Sequence, residues 1–433
     1  MSSFHFQKTV LLLFLSVVTP FNVLVSQENK SSEDLTFRGT DLTAYLEQAL
    51  KANPGLKVYE QKLEAARQRV PQLAALPDPL IQVNHFVESV QTRTGPQENV
   101  VILNQRFPWF GTLKNREISA SAEAEALWYA YQNRQLTLMR EVSLSYYEVA
   151  YLQKAISITT ENLKWLKQLE PIVETRVKAG GNLNNLLRLK VEIGKLDDRR
   201  QSYLSKKGVA YAQLSALVNI SPQTSSPVMD LKAPEILEID PDGLQKKLLE
   251  ESPELKRLHQ KSIAAEARTK LAKLQSYPDF SVGVTYVQIG DPGMNRDVAD
   301  AGQDAWGVTA AVSLPIWTGR YKAARKEAQA NLYASEQQIE QIRLQLLSEL
   351  ESALALHTNA QRQLRLYGKE LIDLAKQSVE NSLNSYEVGT IGVLELIDSE
   401  RSLLELQLLH WRAAANALQQ RIRIQTLVNQ PLK

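Results

Sequence analysis

The sequence predicts a mainly α-helical chain that also contributes four strands to a transmembrane β-barrel. It is read as an internal duplication whose copies assemble by threes into a wall of about 12 strands. Three observations carry this prediction. A set of landmarks recurs in the same order in the two halves of the 433 residues. Each half holds a pattern long enough for a very long antiparallel coiled-coil hairpin. Each half also holds two short segments whose side chains alternate between large apolar and small or polar.

The N-terminus comes first. MSSFHFQKTVLLLFLSVVTPFNVLVSQ has Lys8, an apolar run from Val10 to Val18, and the small Ser26. That order reads as a signal peptide over residues 1–26. The alternative, a membrane anchor, is disfavoured because Thr19, Pro20 and Asn22 break a run already short for a span. The chain has no cysteine, which removes disulfides, thiolate metal sites and a lipid anchor on cysteine.

The first half, residues 27–220, opens with two shorter helices separated at Asn53-Pro54. The second half, residues 244–433, repeats this at Ser252-Pro253. A capping residue followed by proline suits a helix start. Residues 221–243, rich in Pro and Ser, read as a linker or equatorial segment. Two strands follow in each half, joined by a polar loop. FSVGVTYVQI sets Phe280, Val282, Val284 and Tyr286 against Ser281, Gly283 and Thr285. WGVTAAVSL sets Trp306, Val308, Ala310, Val312 and Leu314 against Gly307, Thr309, Ala311 and Ser313. In the first half, Ile81, Val83 and Val87 oppose Gln82, Asn84 and Glu88, whereas NVVILNQRF starts apolar on both sides. This alternation suits a lipid-facing wall. A soluble two-sheet packing is the competing reading. The signal peptide, the duplication and the long helices favour the membrane.

Four strands cannot close a conducting barrel, and an open edge in lipid leaves backbone groups unpaired. Oligomerisation follows. RFPWFGTLKNR and SLPIWTGRYKAAR then mark where each strand leaves the membrane and becomes a helix. Pro108 and Pro315 end ladder pairing. Gly111 and Gly319 are expected to adopt backbone angles that other residues resist. Trp109, Phe110 and Trp317 are expected to pack at the junction rather than line an interfacial aromatic belt.

The long helices start near Thr112 and Tyr321. In the second, Leu332, Ile339, Leu346, Ala353, Ala360, Tyr367 and Leu374 fall seven apart, with Ile342, Leu350, Leu364 and Leu371 between them. That is a coiled-coil seam. It resumes after Gly389 at Ile397, Leu404, Trp411 and Leu418. The turns fall at Gly180-Gly181 and at Gly389.

Taken together, the two Pro-capped helix starts, Pro77-Asp78 and Pro278-Asp279, the two junctions and SYEVGTIGVLELIDSE resemble the outer membrane efflux protein family, the TolC-like trimeric channels. Phe-Pro-Trp-Phe-Gly resembles the heavy-metal and multidrug branch. The resemblance implies a homotrimer in the outer membrane lipid of a Gram-negative bacterium, with a helical barrel reaching into the periplasm. It implies a periplasmic adaptor protein and an inner membrane efflux pump as partners. The tips at Gly180, Gly181, Gly389 and Thr390 would meet the adaptor. Glu395 and Asp398 would ring the pore entrance, and Tyr386 would help hold it closed. Ile391 stands where the best-known member has a clasping arginine, which implies apolar closure here.

A helix dipole alone also favours carboxylates at Glu395 and Asp398. The histidines His5, His85, His259, His357 and His410 lack ligand spacing. The two on the long helices, His357 and His410, read as seam or surface residues. No cofactor and no enzymatic reaction are expected. A net charge of +2 gives no reason to expect nucleic acid. The alternatives are a periplasmic coiled-coil scaffold or adaptor without a membrane barrel, and a type I protein secretion channel.

Overall fold

The computed structural model of the protein describes residues 41–221, 227–236, 239–293 and 297–430. The expected signal peptide lies outside the described residues.

Helices α1 (Leu42–Ala52) and α2 (Pro54–Ala74) meet at Asn53. The Asn53 side chain accepts the Leu56 amide at 3.0 Å and donates to the Leu217 carbonyl at 2.7 Å, so one residue starts α2 and closes a distant helix end. Strands β1 (Leu80–Thr92) and β2 (Gly95–Phe107) follow. The polar loop expected between them is mostly strand, for pairing continues to Thr92 opposite Gly95. Helix α3 (Thr112–Lys178) then runs for 67 residues, about 100 Å at 1.5 Å per residue. It returns as α4 (Leu183–Leu217).

The same order recurs. Helix α5 (Pro241–Glu251) and α6 (Pro253–Leu274) meet at Ser252, whose hydroxyl accepts the Leu255 amide. Strands β3 (Phe280–Ile289) and β4 (Ala305–Val312) precede α7 (Thr318–Arg365), a single π-turn (Leu366–Leu371), α8 (Ile372–Glu387) and α9 (Val393–Leu427). The described part of the segment before α5 is irregular but not free. Met229 and Leu231 are buried, and Gln153 on α3 binds the Pro227 carbonyl and the Met229 amide at 2.7 and 2.8 Å.

The four strands form one antiparallel sheet in the order β1-β2-β3-β4. Its register puts Ile81 and Val83 beside Leu103 and Val101, which lie beside Val284 and Tyr286, which lie beside Val308 and Trp306. These side chains form one apolar face, and most of them are exposed. Asn104, Ser281, Gly283, Thr285, Thr309 and Ala311 fall on the other face. Val100 and Ile102 also fall there, as expected of a strand apolar on both sides. On the apolar face, beyond Val83 and Val101, lies a polar row: His85 and Asn99 are joined at 2.8 Å, and Asn99 donates to Gln288 at 2.7 Å.

The core lies among the helices and is rich in alanine. Ala360, Leu364, Ala413, Ala414 and Ala417 bring α7 and α9 close together. Leu244, Leu248, Leu350, Leu354 and Ile424 join α5 to the same pair. His357 is buried in this seam, and burial holds its imidazole below the usual range. The expected heptad phase holds at Leu350, Ala353, Ala360 and Leu364. It fails at Leu374, which is 61 % exposed, while Ile372 and Ala375 are buried. The π-turn is the cause: its wider ring admits an extra residue and rotates everything after it.

Candidate functional site at the junctions and hairpin tips

At the first junction β2 ends at Phe107, Pro108 supplies no further donor, and Gly111 caps α3 with a φ of 85°. The local organiser is Asp279. One carboxylate oxygen accepts the Trp109 amide at 2.9 Å and the other pairs with Arg106 at 2.5 Å. The Asp279 backbone also exchanges bonds with Ser313: its amide donates to the Ser313 hydroxyl at 2.7 Å, and its carbonyl accepts the Ser313 amide at 2.9 Å. Asp279 thus ties both junctions together. The sequence shows it in Pro278-Asp279, but only as the start of a strand.

Two expectations are corrected here. Gly319 lies inside the first turn of α7 and has no positive φ, so only Gly111 uses glycine's freedom. At the second junction β4 ends at Val312, and Ser313 to Trp317 make the turn around Pro315. The aromatics also divide. Trp109 packs, stacked on Tyr277 at 5.0 Å and on Phe280 at 5.5 Å. Phe110 meets Trp109 edge-on at 5.8 Å and Phe280 at 6.2 Å yet stays 79 % exposed, and Trp317 is 70 % exposed, next in sequence to exposed Leu314 and Ile316. Exposed rings at the end of an apolar strand face suit a membrane interface.

At the other end of the helices are the tips. Gly180 has a φ of 96°, and the Gly181 amide returns to the Arg176 carbonyl at 2.9 Å. A Cβ on Gly181 would stand 2.8 Å from that carbonyl. Gly389 has a φ of 81°, and Thr390 binds the Ser385 carbonyl through both its amide and its hydroxyl at 2.9 Å. Both turns therefore require glycine at the position the sequence marks.

The two tips are joined by Arg176, which the sequence reading did not single out. Its guanidinium donates to the Tyr386 carbonyl at 3.0 Å and lies 4.0 Å from the centre of the Tyr386 ring. Tyr386 is buried, and Ile391 is half-buried. The available signal was position: Arg176 sits one turn before Gly180.

Glu395 and Asp398 are exposed on the first turns of α9, but they are not equivalent. Asp398 pairs with Arg401 at 3.0 Å, and Arg401 also binds Glu192 on α4 at 2.8 Å. Among the described residues, Glu395 has no such cation. Glu400 points elsewhere and accepts from Asn162 on α3 at 2.5 Å. Its carboxyl is pushed up by burial, partly offset by that donor. Among the described residues no group of three His, Asp or Glu could hold a metal, and no helix is long and apolar enough to cross a membrane.

Comparison with known proteins gives consistent matches. The family model described as outer membrane efflux protein matches residues 45–220 and 244–430. The probable outer membrane lipoprotein SilC of Salmonella typhimurium is 24 % identical over 83 % of this chain and 79 % of its own. The cation efflux system protein CusC of Escherichia coli O157:H7 is 24 % identical over 85 % of this chain and 81 % of its own. Among solved structures, the outer-membrane channel OprN superposes with a TM-score of 0.77 over 89 % of both chains at 20 % identity, a likeness of fold.

Proposed function

This chain belongs to the outer membrane efflux protein family, and on that premise we propose that it is the outer membrane channel of a tripartite efflux system. It acts as a passive conduit from periplasm to exterior, with no catalytic step of its own. An inner membrane pump supplies the energy and a periplasmic adaptor engages the tips at Gly180, Gly181, Gly389 and Thr390. Three copies close a barrel of about 12 strands, and their helices form the periplasmic barrel. The two halves are read as duplicates because their elements follow one order. Tyr386, with Arg176, holds the entrance, and Glu395 and Asp398 line it.

The observation that carries this reading is the sheet. It exposes one apolar face and is bounded by β1 and β4, whose outer edges have no strand partner among the described residues. In water such a face and two such edges invite aggregation. In a bilayer the face is solvated by acyl chains, and only closure satisfies the edges. A protein-export channel would share the architecture. The likeness to a protein named for cation efflux favours small solutes.

Cell fractionation tests the proposal. A channel is recovered from membranes only with detergent, as an oligomer that dissociates on heating. A soluble chain released by osmotic shock would instead support the periplasmic scaffold.

A further inference from the structure

We propose the register in which the β4 edge of one copy pairs with the β1 edge of the next: Val312 opposite Ile81, Ala311 opposite Gln82, Ala310 opposite Val83 and Thr309 opposite Asn84. The proposal rests on the channel reading above and adds to it the contact surface between copies.

The argument uses the repeat as a ruler. Align the two halves on Asp78 with Asp279 and on Pro108 with Pro315. In the first hairpin Leu80 pairs with Asn104, and Ile81 with Leu103. The alignment turns these into Ser281 with Ala311, and Val282 with Ala310. Those are the pairs observed in the second hairpin. Two separate landmarks thus reproduce a register that neither was chosen to fit, so the halves are equivalent to the residue from Leu80 to His85 and from Asn99 to Asn104, the stretch before the first hairpin shifts register.

That equivalence can be extended one step. Within the chain, β2 and β3 join the two halves, with Leu103 opposite Val284 and Asn104 opposite Gly283. In the aligned halves, β4 is the counterpart of β2 and β1 the counterpart of β3. Transposing the β2–β3 register gives Ala310 opposite Val83 and Ala311 opposite Gln82 of a neighbouring copy.

Side-chain chemistry agrees without having been used. Val312, Ala310, Ile81 and Val83 all fall on the apolar face, continuous with Val282 and Val284. Ala311, Thr309, Gln82 and Asn84 all fall on the other. A slip of one residue would carry every side chain of one strand to the wrong face. The same register sets Asp78 of one copy beside the Pro315–Trp317 turn of its neighbour. Asp279 holds the corresponding place within the chain, binding the Trp109 amide. Among the described residues, Asp78 has no partner in its own chain.

The absence of cysteine makes the test clean. Two double variants carry the pairs expected to meet: Val83→Cys with Ala310→Cys, and Gln82→Cys with Ala311→Cys. Two controls carry displaced pairs: Val83→Cys with Ala311→Cys, slipped by one residue, and Val83→Cys with Val308→Cys, slipped by two, or about 7 Å. Links within one chain are excluded because β1 and β4 are the outer strands of the sheet, about 14 Å apart. Each variant is extracted from membranes in detergent, oxidised with copper phenanthroline and boiled in SDS without reductant. The expected result is a covalent trimer, reversed by dithiothreitol, from both in-register variants and from neither control. Linking by a control, or none from either in-register variant while the uncrosslinked protein still runs as a trimer, overturns the register and leaves the channel reading standing. A protein that is a single soluble species before oxidation overturns both.

Discussion

Asp279 and Asp78 start corresponding strands, yet within one chain only Asp279 is bonded. The magnitudes decide which of its bonds matters. Arg106 is 65 % exposed, so the ion pair contributes about 0–1 kcal/mol. The bond from the Trp109 amide to a charged acceptor contributes about 1.5–3 kcal/mol. Asp279→Ala is therefore expected to lower thermal stability in detergent far more than Arg106→Ala. Equal effects would show that the amide bond is not the larger contribution. Arg176 sets a second test. It reaches Tyr386 through the carbonyl and the ring face, which phenylalanine keeps. Single-channel recording should find higher conductance for Arg176→Ala and unchanged conductance for Tyr386→Phe. Tyr386 was legible in the sequence through the SYEVG turn, whereas Arg176 was not. An arginine among the many charged residues of a long helix gains meaning only when the fold brings its partner within reach.

At the scale of elements, the long helices, both glycine turns and the four strands were legible, because each rests on a period or on a backbone demand that few residues meet. The phase of the second hairpin was not. Seven-residue spacing counts along the chain, and the π-turn adds a residue that no spacing announces. The only hint was Gly368, the lone glycine in that pattern. The structure shows what it does: a Cβ there would stand 2.7 Å from the His410 ring on α9. The ring fills the space, and burial holds its imidazole below the usual range. Gly368→Ala should cost about 1–3 kcal/mol by overpacking. His410→Ala should recover much of that loss in the double variant, as read by a thermal melting cycle. Additive losses would mean that the glycine serves the turn itself rather than the histidine. Gly319 teaches the converse. It follows the same proline-aromatic stretch as Gly111, but the second junction turns through Pro315 to Trp317 before the helix starts, so its glycine is left as an ordinary helical residue.

At the scale of the whole molecule, the proposed trimer multiplies what one copy presents. Three copies would gather six carboxylates from Glu395 and Asp398 at the entrance. Asp398 is already tied to Arg401, so Glu395 carries the more available charge. Replacing both with alanine should weaken divalent-cation block of conductance in planar bilayers, and Glu395→Ala alone should give most of that effect. Unchanged block in the double variant would remove both residues from the pore lining. The two unpaired rims of the sheet have a further consequence, which concerns supply rather than transport. Under the proposed closure, a newly secreted copy cannot shelter its greasy side or its strand rims alone, so its survival depends on how soon it meets its fellows. Yield of finished channel should then climb more steeply than the amount of polypeptide delivered, and scarce copies should fall to proteases first.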